Sequence, residues 1–291
     1  MQKRPLGPGA PPVSTIGFGG MHLSISGRPD EAQALRVLAA VLEAGVTLID
    51  TADVYCLDDG DLGHNERLIA RALKSQPSLR DGVIVATKGG LERPRGAWTR
   101  NGHPEHLRKA CERSLAALGV ECIDLYQLHA PDPAVPFADS VGAIAELQRE
   151  GKVRWVGLSN VSVDEIETAE RIVTVVTVQN RMSPFFREAI SRGVVEACAR
   201  KGIGFLAYSP LGGGRLNRKL PLHPVLAGIA ERHGVSAHAA ALAWVLAQGA
   251  TVIPIPGART VEHALDSLRA ADVTLAPGEL AALDAAEFSI E

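Results

Sequence analysis

The sequence lacks the features that mark membrane and secreted proteins. No run of about eighteen or more apolar residues occurs in it, so no segment has the composition of a transmembrane helix. The first residues, MQKRPLGPGAPPV, place two cations before prolines and glycines, where a secretory leader would have a continuous apolar stretch. These absences predict a cytoplasmic protein.

An excess of either charge is also missing. The 30 Lys and Arg residues are offset by 33 Asp and Glu residues, so the formal net charge is only −3 and does not attract nucleic acid or an anionic membrane. The four cysteines form no CxxC pair, and no histidine is spaced with them as a zinc ligand. The sequence therefore predicts no metal site, no nucleic-acid partner and no membrane partner, and it favours a small-molecule ligand.

A regular alternation of strand-like and helix-like segments runs along the chain. β-branched runs predict eight strands, at residues 13–18, 46–50, 83–88, 123–129, 153–159, 173–179, 203–209 and 251–256. Apolar residues at helical spacing predict helices between and after the strands, among them 29–45, 103–119, 137–151 and 277–287.

This alternation predicts an α/β fold of the (β/α)8 TIM-barrel class, formed by residues 1–291 as a single domain. The eight strand-then-helix units follow one another without a long linker, as they do in such a barrel. A doubly wound open sheet is the alternative. Its usual glycine-rich turn is absent, because the glycines of GFGGM (17–21) do not spell GxGxxG.

Polar side chains stand where the predicted strands end, at the rim that carries the chemistry of a (β/α)8 barrel. They are Asp50 and the nearby Tyr55, Lys88, His129, Ser159, Asn160, Gln179, Tyr208 and Ser209. One such residue by itself commonly caps a helix. An acid, a phenol, an ammonium and an imidazole on neighbouring strands together indicate acid–base chemistry.

The groups Asp50, Tyr55, Lys88 and His129 can tune one another's protonation. An ammonium within about 4–6 Å stabilises a phenolate, so Lys88 is predicted to lower the pKa of Tyr55 from its ordinary value near 10. Asp50, at the end of the neighbouring strand, is predicted to keep Lys88 protonated. His129 can hydrogen-bond a substrate oxygen, which leaves Tyr55 as the general acid or base.

Seven segments of the chain resemble, in order and spacing, the motifs of the aldo-keto reductases. They are LIDTADVY, ATKGG, DLYQLH, GKVRWVGLSN, TVQN, AYSPLGGG and IPGARTVEHALDSL. The resemblance implies a barrel that binds NADPH or NADP+ across its rim and transfers hydride between the nicotinamide and a carbonyl carbon. It also implies that Asp50, Tyr55, Lys88 and His129 are catalytic. In this reading Tyr55 protonates the alkoxide formed from an aldehyde, a ketone or a sugar-like carbonyl.

The resemblance extends to residues that hold the cofactor. It implies that Ser159, Asn160 and Gln179 bind the nicotinamide carboxamide and that Tyr208 stacks on the nicotinamide ring. Arg259, at the start of the helix after the last strand, suits the adenosine 2′-phosphate and favours NADPH over NADH. The full predicted set is Gly20, Met21, Ser159, Asn160, Gln179, Tyr208, Ser209, Leu211, Gly213, Ile255, Gly257, Arg259, His263, Asp266 and Ser267. Relatives commonly carry Glu-Asn where this chain has Asp266 and Ser267, so the adenine contacts depart from the pattern.

Fewer sequence features point to the residues that contact the substrate. Phe18, Met21 and Trp98 are predicted to wall a pocket for a carbonyl or alcohol substrate. Two other functions stay open: a barrel lyase or aldolase in which Lys88 forms a Schiff base, and a regulatory binding protein like the potassium-channel β-subunits. The sequence determines neither the substrate and reaction direction nor the oligomeric state.

Overall fold

Eight parallel strands form the centre of the computed structural model, which describes residues 1–291. The strands, numbered along the chain, are β1 (Lys3–Arg4), β2 (Val13–Ser14), β3 (Phe18–Gly19), β4 (Leu48–Asp50), β5 (Ile84–Gly89), β6 (Leu91–Glu92), β7 (Thr99–Arg100), β8 (Ile123–Leu128), β9 (Val153–Ser159), β10 (Val175–Arg181), β11 (Gly204–Tyr208) and β12 (Val252–Pro254). The order in the central sheet is β3-β4-β5-β8-β9-β10-β11-β12, and all neighbouring pairs are parallel.

Backbone hydrogen bonds join the first strand of this sheet to the last. Gly17 N–H donates to Pro254 O and Gly19 N–H donates to Pro256 O, both at 3.0 Å. The approach is close, since a Cβ built on Gly257 would lie 2.6 Å from Gly19 O, and only glycine fits there. The sheet is therefore closed, and the predicted (β/α)8 TIM barrel is confirmed.

Helices fill the connections between the strands. They are α1 (Glu31–Glu43), α2 (His64–Ser75), α3 (Pro77–Arg80), α4 (Pro104–Leu118), α5 (Phe137–Arg149), α6 (Val163–Glu170), α7 (Glu188–Ser191), α8 (Val194–Lys201), α9 (Pro224–His233), α10 (Ala237–Ala247), α11 (Val261–Leu268) and α12 (Pro277–Ala285). None of them combines the length and the apolar character that crossing a bilayer requires.

Helix α1 illustrates how the sequence places such a helix against the barrel. The Asp30 carboxylate accepts the Gln33 N–H at 2.7 Å and so satisfies an amide of the first helical turn. The buried residues of α1 recur at helical spacing and pack against residues of β4 and β5. These buried residues are Ala34, Val37, Leu38, Val41 and Leu42. Gly45 follows the helix with φ of 89° and turns the chain back towards β4, which delivers Asp50 to the rim.

The prediction of one strand over residues 13–18 is wrong. Val13–Ser14 pairs antiparallel with Lys3–Arg4 outside the barrel, and the first barrel strand is only Phe18–Gly19. Arg4 holds this N-terminal hairpin in place by donating to the carbonyl oxygens of Gly249 and Val252, at 2.7 and 2.6 Å. The cation is thus satisfied by the backbone of the last βα unit.

The N-terminal hairpin closes the floor of the barrel. Leu6 and Val13 are buried in one apolar cluster with side chains from six barrel strands: Leu48, Ile84, Leu125, Val176, Leu206 and Ile253. Because this end is filled, the barrel opens at the C-terminal ends of its strands, where the predicted site residues lie.

The other seven predicted strands coincide with β4, β5 and β8 to β12, and their ends shift by no more than two residues. The four predicted helices named above coincide with α1, α4, α5 and α12 within the same margin. Periodicity located most of these elements because they bury a continuous apolar face or run, whereas α12 buries only Leu283.

Candidate active site

Lys88 links the predicted catalytic residues. Its fully buried ammonium donates three hydrogen bonds: to Asp50 Oδ2 at 2.7 Å, to Thr51 O at 2.8 Å and to Tyr55 Oη at 3.0 Å. An ammonium has three N–H donors, so all of them are used. β4 and β5 are adjacent and parallel, which brings Asp50 and Lys88 together at one side of the rim.

Tyr55 reaches this group from the loop after β4. The loop turns tightly, with Tyr55 N–H donating to Ala52 O at 3.2 Å and Cys56 N–H donating to Val54 O at 2.9 Å. The phenol oxygen accepts a hydrogen from Lys88, and no protein atom accepts the phenol's own hydrogen. Tyr55 also lines a large cavity above the rim, so its O–H is free to bond a molecule there.

A layer of amides holds the other oxygen of Asp50. Gln179 Nε2 donates to Asp50 Oδ1 at 2.7 Å, and Gln127 Nε2 lies 3.4 Å from the same oxygen. Thr177 extends the layer by donating to Gln127 Oε1 at 3.5 Å. The Asp50 carboxylate is thereby fixed in one orientation with Lys88 on one oxygen and amides on the other. Sequence reasoning did not single out Gln127, although a glutamine inside the apolar strand IDLYQLH was a usable signal.

His129 follows β8 and faces Tyr55. The two rings meet edge to face with centroids 5.8 Å apart, and His129 Nδ1 is buried without a hydrogen-bond partner. Burial, and then the neighbouring Lys88 cation, hold the pKa of His129 well below its ordinary value. The imidazole is therefore neutral near pH 7 and can offer one N–H or one lone pair to a molecule in the cavity.

Burial sets the acidity of Tyr55 differently from the sequence prediction. The pKa of Tyr55 is raised well above 10, first by loss of water and then by the Asp50 carboxylate. The predicted lowering by Lys88 is wrong for this structure, because burial removes water from the phenolate and the Asp50 charge acts further against it. Burial likewise lowers the pKa of Lys88, and Asp50 is the largest influence raising it again. Tyr55 is thus a protonated phenol, in the form of a proton donor.

The cavity above the rim has a volume of about 760 Å³ and runs from Asp50 and Tyr55 to the start of helix α11. Most of the residues predicted for cofactor and substrate line it. They are Met21, Trp98, Ser159, Asn160, Gln179, Tyr208, Ser209, Leu211, Gly213, Ile255, Gly257, Arg259, His263, Asp266 and Ser267.

Phe18 and Gly20, predicted for substrate and cofactor, are not among the residues that line the cavity. Phe18 is buried among side chains of the layer between barrel and helices. Gly20 is packed against Asn65, whose Nδ2 donates to Gly20 O at 2.9 Å. The neighbouring residues Gly19 and Met21 line the cavity.

Asn160 and Tyr208 are bonded to each other along one wall. Tyr208 Oη donates to Asn160 Oδ1 at 2.8 Å, and Asn160 Nδ2 donates to His129 O at 2.9 Å. Asn160 has φ of 60°, a left-handed conformation that asparagine tolerates better than most residues. The amide and the phenol are therefore held at fixed positions on the cavity wall.

The segment after β11 gives the cavity a stretch of open backbone. Ser209 and Gly213 have φ of 47° and 87°. A Cβ built on Gly213 or Gly214 would meet no atom within 4 Å, so both glycines border open space. Open glycine backbone of this kind allows the close approach of an anionic group such as a phosphate.

Arg259 and Asp266 mark the far end of the cavity. The Arg259 guanidinium donates to His22 O at 3.3 Å and to Ser26 O at 3.1 Å, so it is anchored to the loop after β3 and keeps other N–H groups free. The Asp266 carboxylate accepts the Ser236 hydroxyl at 2.5 Å. The Ser267 hydroxyl bonds back to the helix, with its oxygen 3.0 Å from the carbonyl oxygen of His263.

Several cavity residues were not found from the sequence. They are Asn217, Arg218 and His238. His238 bonds the carbonyl oxygen of Asn217 at 3.0 Å, which ties helix α10 to the 3-10 segment Leu216–Leu222. The cations of RLNRK directly after the glycines were the available signal for Arg218. No three His, Cys, Asp or Glu side chains are grouped as metal ligands.

Comparison with known proteins shows the family to which the chain belongs. The Aldo/keto reductase family model matches residues 15–287. An uncharacterized oxidoreductase of Schizosaccharomyces pombe is 36% identical over 277 residues, which cover 94% of this chain and 86% of that protein. A Glycine max protein named Probable aldo-keto reductase 1 is 35% identical over 297 residues, with 92% of this chain and 84% of that protein covered.

A crystal structure shows the same likeness in three dimensions. An aldo/keto reductase from Klebsiella pneumoniae, in complex with NADP and acetate, superposes with a TM-score of 0.81 at 27% identity. The match covers 98% of this chain and 95% of that one. The resemblance of the seven sequence motifs is thus confirmed over nearly the whole length. The chain belongs to the aldo/keto reductase family of oxidoreductases.

Proposed function

We propose that the protein is an NADP(H)-dependent oxidoreductase that reduces an aldehyde, a ketone or a sugar-like carbonyl to an alcohol, with Tyr55 as the general acid. One observation carries the proposal: Lys88 donates at once to the Asp50 carboxylate and to the Tyr55 phenol at the cavity floor. This arrangement presents a protonated phenol whose hydrogen is free and whose oxygen is already bonded to a cation.

The cavity fits a dinucleotide phosphate. It extends continuously from the Tyr55 phenol to helix α11, and it is bordered midway by the open glycine backbone at Gly213 and Gly214. Two arginines, Arg218 and Arg259, line it, and neither forms an ion pair with an acidic side chain. These groups would hold the pyrophosphate and the 2′-phosphate, while Asn160 and Tyr208 would hold the nicotinamide end.

Bound NADPH would supply the hydride that reduces the carbonyl carbon. The chain's own task is the proton and the charge on the carbonyl oxygen. Tyr55 donates its free hydrogen to that oxygen, and the ammonium of Lys88 stabilises the phenolate that remains. Neutral His129 donates an N–H to the same oxygen and orients it. Asp50 keeps Lys88 charged although burial favours the neutral amine.

The choice of NADPH over NADH rests on Arg259. Its guanidinium lies beside the helix α11 N-terminus, where amide groups and a cation together favour a phosphate. The Klebsiella pneumoniae enzyme, which has the same fold, was crystallised with NADP. Both observations support a 2′-phosphate on the cofactor.

The two alternative functions receive less support. A Schiff base needs a neutral, accessible amine, whereas the Lys88 nitrogen is fully buried beneath Tyr55 and uses all three hydrogens. A purely regulatory protein does not need a phenol, an ammonium, a carboxylate and an imidazole held in one constellation. Reduction of a carbonyl uses each of them.

The proposal is tested by absorbance at 340 nm with NADPH or NADH and a panel of aldehydes, ketones, sugars and the corresponding alcohols. We expect carbonyl-dependent oxidation of NADPH, with NADH the poorer donor. Borohydride treatment with each carbonyl provides the contrast. An adduct on Lys88 without turnover of NADPH would support the lyase and contradict the proposal.

A further inference from the structure

Arg93 is a buried cation with no carboxylate partner. It lies just after β6 and is only 6% exposed. Its guanidinium donates to three backbone carbonyl oxygens: Gly96 O at 2.6 Å, Leu57 O at 3.0 Å and Cys56 O at 3.1 Å. A planar guanidinium that bonds several fixed acceptors is held in one place, because its donors form a rigid fork.

These three bonds connect two loops. Cys56 and Leu57 follow Tyr55 directly in the chain, whereas Gly96 belongs to the turn between β6 and β7. Arg93 is thus a brace between the loop of the proposed proton donor and the β6–β7 hairpin. Arg93 contacts both loops through main-chain carbonyl oxygens, so these contacts do not depend on the side chains of Cys56 and Leu57.

The face of the same guanidinium supports Trp98. The Arg93 Cζ atom lies 3.9 Å from the centroid of the indole, in a cation–π contact. Trp98 is 47% exposed, lines the cavity, and meets the Tyr55 ring edge to face with centroids 6.3 Å apart. An exposed indole has few contacts to hold it, so its stacking on Arg93 determines where this part of the cavity wall stands.

We propose that Arg93 is a positioning residue for the proposed reduction: it fixes the Trp98 indole and the Tyr55 loop relative to each other. The wall that orients a substrate then stands at a set distance from the phenol that protonates it. This inference rests on the proposed function. Arg93 itself neither touches the substrate nor transfers a proton. It influences the orientation of the substrate through Trp98 and the Tyr55 loop.

The first test compares Arg93→Met with Arg95→Met. Methionine keeps an unbranched stem at position 93 and removes the guanidinium, and Arg95 is an exposed arginine of the same turn. We expect Arg93→Met to lower kcat/KM for benzaldehyde on the order of tenfold, because small misplacements of orienting groups have effects of this size or larger. The control should stay near the wild-type value, and both should bind NADPH as the wild type does. An unchanged kcat/KM in Arg93→Met would overturn the proposal.

A double-variant cycle with Trp98→Ala shows whether Arg93 acts through the indole. We expect Arg93→Met to lower kcat/KM less than about twofold in the Trp98→Ala background, since coupled residues are not additive. The same loss in both backgrounds would contradict the proposal. Arg93→Lys replaces Arg93→Met in this cycle if the methionine variant does not fold. It should show the coupled loss too, since an ammonium cannot stack on the ring and bond three carbonyls at once.

A readout without turnover separates this inference from the proposed function. The fluorescence of Trp98 is obtained as the difference between each protein and its Trp98→Phe variant. We expect acrylamide to quench this signal more strongly in Arg93→Met than in the wild type or in Arg95→Met. If no carbonyl is reduced by the wild type but the quenching changes as expected, the proposed function fails and the brace stands. Unchanged quenching would refute the brace even in an active enzyme.

Discussion

Lys88 and Tyr55 are joined by a hydrogen bond of 3.0 Å in which the ammonium donates and the phenol oxygen accepts. The ammonium also lies 4.8 Å from the centroid of the tyrosine ring. Because the phenol's own hydrogen is not used within the protein, the contact arranges Tyr55 as a donor towards the cavity. The same contact places a cation where the phenolate charge would appear.

Asp50→Asn tests the role of the buried carboxylate. The change leaves the Lys88 charge without a counter-ion, so we expect the free energy of unfolding at pH 7 to fall by about 3 kcal/mol. The pKa of Lys88 should fall further, because the group that raises it most is gone. Urea unfolding measures the stability. The double variant Asp50→Asn with Lys88→Met removes both charges and should be more stable than Asp50→Asn alone; equal or lower stability would show that the pair is not coupled.

His129 makes stability depend on pH. Its pKa in the folded protein lies well below the ordinary value, so below about pH 6.5 the unfolded chain binds a proton that the folded chain does not. The stabilisation is fully present above that pH and is lost as the pH falls. Between pH 7 and pH 5 we expect the wild type to lose more of its free energy of unfolding than His129→Asn does. Parallel pH profiles for the two proteins would contradict this.

Asn160 tests whether backbone strain is stored at the cavity wall. Asn160→Ala and Asn160→Gly both remove the bonds to Tyr208 and His129, but only alanine resists the left-handed conformation. We expect the alanine variant to be less stable than the glycine variant by about 1 kcal/mol in urea unfolding. Both should bind NADPH more weakly than the wild type. Equal stability of the two variants would show that the conformation carries no strain.

Arg259→Gln tests the source of the preference for NADPH. A charge-assisted hydrogen bond contributes about 1.5–3 kcal/mol, so the Kd for NADPH should rise on the order of tenfold or more, while the Kd for NADH stays the same. Titration of cofactor fluorescence measures both values. If binding of the two cofactors weakens equally, Arg259 acts by holding the loop at His22 and Ser26 and not by contacting a 2′-phosphate.

Much of this site follows from strand periodicity alone. Asp50, Lys88 and His129 stand at or next to the ends of three neighbouring parallel strands, so reading where each strand ends was enough to bring them together. Phe18 is instead buried in the layer between barrel and helices, because spacing alone does not show which face of the two-residue strand β3 a side chain takes. The N-terminal hairpin was not predicted, because the prolines and glycines between its two short strands interrupt the strand pattern. Nothing in the sequence therefore indicated that this hairpin closes the floor of the barrel.

Burial accounts for the remaining differences between the sequence-based predictions and the structure. The spacing of Lys88 and Tyr55 correctly suggested contact, but the sign of the pKa shift of Tyr55 depends on how much water the fold removes and on where Asp50 points. Arg93 reads as one cation of a basic loop, whereas the fold buries it against three carbonyl oxygens. Such outcomes depend on packing between segments distant in the chain, which local spacing does not encode.

The most direct test of the central claim is the turnover of Tyr55→Phe, which removes one oxygen and leaves the ring in place. Rates of NADPH oxidation with an aldehyde are measured at 340 nm, and the Kd for NADPH is measured on the same samples. We expect unchanged cofactor binding and a fall in kcat of about 10²- to 10⁴-fold, the usual contribution of a positioned general acid. A Tyr55→Phe variant that reduces the aldehyde at the wild-type rate would contradict the assignment of Tyr55 as the proton donor.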